Sequence, residues 1–212
     1  MPKLLYFGVH GRAGPIRMLL SHAKADYENV ILTHEEFGKM KADGELPSGQ
    51  VPVWIDDNGV KHNQSKAILL AVGAQHGYLP TDAWELYQVM WVLETHADLL
   101  KPQHIGKLFM GNFTEEEADA FIADGDKFNA AWDARLKSFG KNFLAGDKVT
   151  VADFLIFANY RSVFLNENLK QADLVLPRLK ESVAKYEDLN KWLELMSVEL
   201  KDYLETEPKA FL

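Results

Sequence analysis

Every strand-like run of this 212-residue chain falls within its first eighty residues. Beyond Gly77-Tyr78-Leu79-Pro80, apolar residues recur only at helical spacing. That asymmetry divides the chain into two parts of different class. It predicts a small mixed sheet with helices on it, followed by an all-helical region.

The elements follow in order. Lys3 to Phe7 reads as a first strand, and Gly11-Arg12-Ala13-Gly14-Pro15 as a turn. Pro15 suits a first helical position, where its missing N–H has no intrahelical partner, and a helix runs on to Ala23. Asn29 to Thr33 is a second strand and His34 to Lys41 a short helix. Val51 to Asp56 and Val60 to Asn63 flank Asp57-Asn58-Gly59, a hairpin turn. The alternating oxygen ligands and closing glutamate of a calcium loop are absent there. Ser65 is expected to cap a helix from Lys66 to Gln75. The order is β-α-β-α-β-β-α over residues 1–77, a linker at 78–82, and a helical bundle over 83–212. Within the bundle, helices are expected from Trp84 toward Leu100, after Thr114, from Val151 to Phe164, from Leu176 to Lys185 and from Leu189 to Leu204.

Composition narrows the function classes. The chain has no cysteine, which removes disulfide frameworks, cysteine nucleophiles and thiolate metal sites. Its seven histidines form no HExxH or other close metal pair, so no metal is expected. Residues 1–80 carry 8 basic and 8 acidic side chains, whereas residues 81–212 carry 15 and 23. The acidic excess argues against nucleic-acid binding. The longest apolar stretch, Ala67 to Ala74, is far short of the ~20 residues of a membrane helix. No signal peptide is visible at Met1-Pro2-Lys3-Leu4-Leu5, so a cytoplasmic location is expected.

Taken singly, the candidate residues have plain readings. Tyr6 is a packed strand-end aromatic, Arg12 a surface charge, Gln64-Ser65 a helix cap and Val51-Pro52 an edge-strand proline. Gly8-Val9-His10-Gly11-Arg12-Ala13-Gly14 matches no nucleotide-binding glycine motif.

Together and in order they resemble a family. Tyr6-Phe7 followed by Gly11-Arg12, Pro15-Ile16-Arg17 and Leu19-Leu20, then Gly49-Gln50-Val51-Pro52, then Gln64-Ser65 with Ala67-Ile68, are similar to the tyrosine-type cytosolic glutathione transferases. The alpha, mu, pi and sigma classes belong to that branch, and the likeness leans to sigma. In the second half, Gly146-Asp147 with Thr150-Val151-Ala152-Asp153 resembles the family's helix-start box, and Thr150 with Asp153 fits a reciprocal cap.

The resemblance implies a thioredoxin-like N-terminal domain, a helical C-terminal domain, a homodimer and glutathione as co-substrate. It implies a detoxification enzyme that joins the glutathione thiolate to small hydrophobic electrophiles. Tyr6 would donate to the sulfur and Arg12 would add positive potential. Val51, Pro52 (as a cis-proline), Gln50, Gln64 and Ser65 would hold the peptide, with Phe37 and Lys41 near its glycyl end. Asp98 corresponds to an acid sent from the partner subunit. Phe7, Val9, His10, His104 and Leu108 are candidates for the electrophile pocket, the last two on a long fourth helix. Ala210-Phe211-Leu212 either fold over the cleft or fray.

Departures from the pattern carry expectations of their own. Phe37 replaces a tryptophan, and Gly8 is expected to widen the cleft beside Tyr6. Lys66 and Leu69-Leu70 are expected to affect packing or a dimer surface. Two alternatives stay open: a glutathione-dependent isomerase or peroxidase of the prostaglandin-isomerase kind, and a non-catalytic ligand-binding or structural protein.

Overall fold

A computed structural model describes residues 1–99 and 102–207, without the side chains of residues 102–104 and 109. Four short strands form one mixed sheet in the order β2-β1-β3-β4: β1 Lys3–Tyr6, β2 Glu28–Ile31, β3 Val53–Ile55 and β4 Lys61–His62. β1 pairs parallel with β2 and antiparallel with β3, and β3 antiparallel with β4. Helix α1 (Gly14–His22) makes the parallel crossover, and α2 (His34–Ala42) and a 3-10 turn (Pro47–Gly49) connect β2 to β3. The hairpin turn is as expected, with Gly59 at φ 80° and its N–H bonded to the Asp56 carbonyl. Helix α3 (Ser65–Gln75) follows β4. Val51-Pro52 is a cis peptide.

The helical part comprises α4 (Ala83–Leu99), α5 (Pro102–Met110), α6 (Glu115–Phe139), α7 (Val151–Asn159), α8 (Ala172–Ala184), α9 (Glu187–Glu199) and α10 (Lys201–Thr206). Four boundaries differ from expectation, one being that the helix expected from Leu176 begins at Ala172. The helix after Val151 widens into a π-helical turn over Tyr160–Phe164. The stretch expected as one helix from Leu189 to Leu204 breaks at Leu200. Leu108 lies on α5, separate from α4.

Side-chain alternation in β1 sends Leu4 and Tyr6 into the main core and Leu5 into a small cluster with Leu32, Leu46 and Val53. The main core is shared: Leu4, Ile16 and Leu69 belong to one buried cluster with Phe154, Trp192 and Tyr203. The two parts meet so closely that a Cβ on Gly73 of α3 would lie 2.2 Å from Val151 Cγ1 of α7. Between them, Tyr78 is pinned rather than loose. Its carbonyl accepts from the Val151 N–H at 3.1 Å, and its hydroxyl lies 2.7 Å from His22 Nδ1.

The start of α7 is built around Asp153, which is fully buried. Its carboxylate accepts from the Thr150 N–H and hydroxyl, the Leu144 N–H and Trp192 Nε1, at 2.9 to 3.1 Å. Burial raises its pKa, opposed by those four donors.

Candidate active site

The first strand delivers Tyr6 to the edge of a cleft of about 690 Å3 between the sheet-bearing part and helices α4, α5 and α7. The Tyr6 ring is buried, and its hydroxyl accepts from the backbone N–H of Arg12 at 3.1 Å. The loop closes this tightly because residue 11 is glycine. A Cβ there would come within 2.6 Å of the Tyr6 hydroxyl, and Gly11 has φ +38°. With one lone pair engaged by Arg12, the hydroxyl keeps its own hydrogen for another acceptor.

Arg17 holds that loop in shape, and residue-by-residue reading assigned it no role. It is 2% exposed. Its guanidinium donates to the carbonyls of Val9 (2.6 Å) and Phe7 (3.0 Å) and to Asn29 Oδ1 (3.1 Å). Burial pulls its pKa below the ordinary value. Arginine at the fourth position of an amphipathic helix looks like a solvated charge, so its signal in sequence lay only in the family motif.

Arg12 is exposed at the cleft, in a 3-10 turn over Gly11–Ala13. Gln64 and Ser65 line the cleft too. The structure corrects the cap: Gln64 occupies the cap position at φ 71°, with no side-chain bond to the helix, and Ser65 is the first helical residue. The start of α3 therefore borders the cleft with its first N–H groups free of a side-chain cap, an arrangement suited to a carboxylate.

Gln50, Val51 and Pro52 are not among the residues that line this cleft. Asn63 Nδ2 donates to Ser48 Oγ at 2.9 Å, fastening the 47–49 turn to the segment that leads into Gln64. Phe7 lines the cleft and packs on Phe37 at 5.4 Å, and Lys41 Nζ lies 5.9 Å from the Phe37 ring centroid. Phe37 thus sits behind Phe7, and Lys41 lies beside Gly49. Asp98 is exposed on α4 and outside the cleft lining.

Of the electrophile candidates, Phe7 and Val9 line the cleft. His10 does not. It is 3% exposed, with Nδ1 3.5 Å from the Tyr203 hydroxyl and Nε2 3.5 Å from Glu207. Burial lowers its pKa, partly offset by Glu207. Leu108 is also turned away, wholly buried in the main core. The side chain of His104 and the segment Ala210-Phe211-Leu212 lie outside the described residues.

Two departures also behave differently from expectation. The missing side chain of Gly8 faces Ile31, 3.3 Å from where a Cβ would sit, and Gly8 is not a cleft residue. Lys66 and Leu69 do line the cleft, with Lys66 Nζ 3.4 Å from the Leu93 carbonyl.

The helical wall was missed in sequence. It is formed by His96, Ala97, Ile105, Leu155, Ala158 and Asn159, with Ser162 and Val163 from the π-turn. His96 is 7% exposed and its Nε2 lies 3.0 Å from Asn159 Nδ2, whereas Nδ1 is buried without a partner. Burial pulls its pKa down to about 4, so the ring is neutral at neutral pH. Among the described residues no cluster of metal-ligating side chains appears.

A tyrosine hydroxyl and a helix start without a side-chain cap thus border one cleft beside a thioredoxin-like sheet. The family model for the glutathione S-transferase C-terminal domain matches residues 102–207. Human glutathione S-transferase A3 is 30% identical, with 91% of this chain and 88% of that protein covered. Probable glutathione S-transferase 7 of Caenorhabditis elegans is 30% identical over 92% of this chain and 97% of its own. The solved structure of a Nu-class enzyme from Haemonchus contortus is 29% identical, with a TM-score of 0.78 over 100% of this chain and 98% of that chain. This chain belongs to the glutathione S-transferase family.

Proposed function

We propose that this enzyme conjugates glutathione to small hydrophobic electrophiles, with Tyr6 stabilising the thiolate. The observation that carries this is the Tyr6 hydroxyl, held by the Arg12 N–H at the cleft edge with its hydrogen uncommitted. A free thiol has a pKa near 8.5 and is only a few per cent ionised at neutral pH. Lowering that pKa by two corresponds to about 2.7 kcal/mol. One hydrogen bond donated to the anion in a sheltered site supplies about that much. The thiolate then attacks the electrophilic carbon. A sulfur–carbon bond forms while a halide leaves with its electron pair, or while an activated double bond takes up a proton.

The rest of the site supports binding of the tripeptide. The free N–H groups at the start of α3, with Gln64 and Ser65, suit the γ-glutamyl carboxylate. Val51, presented beside Pro52, would pair its backbone with the cysteinyl unit, as an added strand does. Gln50, Phe37 and Lys41 would complete that side, and Arg12 and Lys66 add positive potential. Phe7, Val9, Leu69, Ile105 and Leu155 offer the apolar surface for the electrophile.

The enzyme is proposed to act in the cytoplasm as a homodimer of two-domain chains, divided near residues 78–82. Asp98, exposed on α4 and outside its own chain's cleft, would then reach the partner's peptide. Gly8 faces Ile31 and is not a cleft residue, so it adds no room beside Tyr6 for isomerase or peroxidase chemistry, and conjugation is the reading favoured. Calorimetric titration with glutathione, followed by turnover of a chloronitrobenzene, tests the assignment. Micromolar-to-millimolar binding with thioether formation is expected. No heat of binding and no product would overturn it.

A further inference from the structure

The Asn159 side chain lies between two acceptors on the helical wall. Its amide group is 2.7 Å from the Leu155 carbonyl oxygen and 3.0 Å from His96 Nε2. A carbonyl oxygen accepts only, so the atom facing Leu155 is the amide nitrogen. Its second hydrogen goes to His96 Nε2, which is therefore the acceptor, and the imidazole carries its hydrogen on Nδ1. Both amide hydrogens are committed, and Oδ1 is held in one orientation.

Among the described residues nothing donates to Asn159 Oδ1. The buried side-chain atoms without a partner are His96 Nδ1 and Trp132 Nε1. Asn159 Oδ1 is not one of them, so it opens to the cleft that Asn159 lines. The helical side of the cleft that Asn159 shares also carries the apolar Ala97, Ile105, Leu155 and Val163. The nearby Ser162 hydroxyl is spent on the Ala158 carbonyl at 2.7 Å. A fixed acceptor stands on a largely apolar wall, aimed by a histidine that itself leaves Nδ1 unbonded inside the protein. A buried N–H left unbonded is destabilising, so the pair calls for an explanation beyond packing.

We propose that Asn159 Oδ1, oriented by His96, is a specificity-determining acceptor that selects electrophiles bearing an N–H or O–H donor. This rests on the transferase reading above. Asn159 is the contact and His96 a positioning residue: with Nε2 removed, the amide loses one of the two bonds that fix it. A ligand without a donor strips water from Oδ1 and returns nothing, whereas an amide or hydroxyl restores the bond.

The test compares the primary carboxamide and the methyl ester of one chlorodinitrobenzoic acid, similar in size, of which only the amide has a donor. Each kcat/KM is divided by the uncatalysed rate with glutathione. The wild-type protein is expected to prefer the amide roughly fivefold. Asn159→Leu should bring the ratio to about one. His96→Phe should lower the amide rate more than the ester rate, whereas a purely structural role would lower both alike. His96→Gln, which keeps an acceptor for the amide, should retain the preference. A wild-type ratio of one, or a preference that survives Asn159→Leu, overturns the proposal and leaves conjugation standing. The wild-type ratio needs no variant to fold. Turnover of neither compound overturns the transferase reading and this inference with it.

Discussion

The Tyr6 hydroxyl and the Arg12 backbone N–H, six residues apart, are joined at 3.1 Å across a loop that leaves no room for a methyl group at position 11. The hydroxyl is thus positioned from the main chain, whatever side chain stands at residue 12. Tyr6→Phe is expected to keep glutathione affinity within a few-fold and to lower kcat/KM at neutral pH about a hundredfold, the equivalent of about 2.7 kcal/mol. The pH–rate profile of the variant should shift toward the free thiol's value. A profile identical to wild type would remove Tyr6 from the chemistry.

Gly11→Ala puts a Cβ 2.6 Å from the hydroxyl it must avoid, at a φ of +38° that alanine resists. The variant should lose about 1–2 kcal/mol in denaturant unfolding. Its kcat should fall with little change in glutathione affinity, since the start of α3 is untouched.

Arg17→Met keeps the length of the buried stem and removes three hydrogen bonds. The Phe7 and Val9 carbonyls and Asn29 Oδ1 lose their donor. Destabilisation of about 2–4 kcal/mol is expected by chemical denaturation. Arg12→Met, at an exposed site, should change stability by no more than about 0.5 kcal/mol.

His96 gives a pH signature. Its folded-state pKa is about 4 against an unfolded value near 6.5, so between those values the unfolded chain binds the extra proton. Stability contributed by the neutral ring is complete above about pH 6.5 and is lost as pH falls toward 4. The loss amounts to at most about 3 kcal/mol. The stability difference between wild type and His96→Gln should therefore shrink or reverse on acidification, measured by unfolding at several pH values. A difference constant with pH would contradict it.

Much of this architecture could be read from local chemistry. Pro15, the Asp56–Gly59 turn, Thr114 with Glu117 and Thr150 with Asp153 act within a few residues of themselves, so their signals survive in one dimension. Tyr6, Gln64 and Ser65 could be found because the family motif fixes their spacing. The helical wall could not. His96 and Asn159 are 63 residues apart and meet only because α4 packs on α7. His10 and Leu108 were misplaced for a related reason: a position near the cleft does not say which way a side chain turns. His10 turns toward Tyr203 and Glu207, which lie almost 200 residues later. The break at Leu200 has no glycine or proline to announce it.

The contact between Gly73 and Val151 bears on how such a chain can be varied by recombination. With 2.2 Å available where a methyl would sit, and one hydrophobic cluster running from Leu4 to Tyr203, neither part is a transplantable module. A chimera joined at residues 78–82 would inherit a mismatched seam unless α3 and α7 came from the same parent. Melting should be a single cooperative event rather than two. Substrate range in this scaffold is therefore free to drift along the cleft walls, while the seam behind them must change, if at all, on both sides at once.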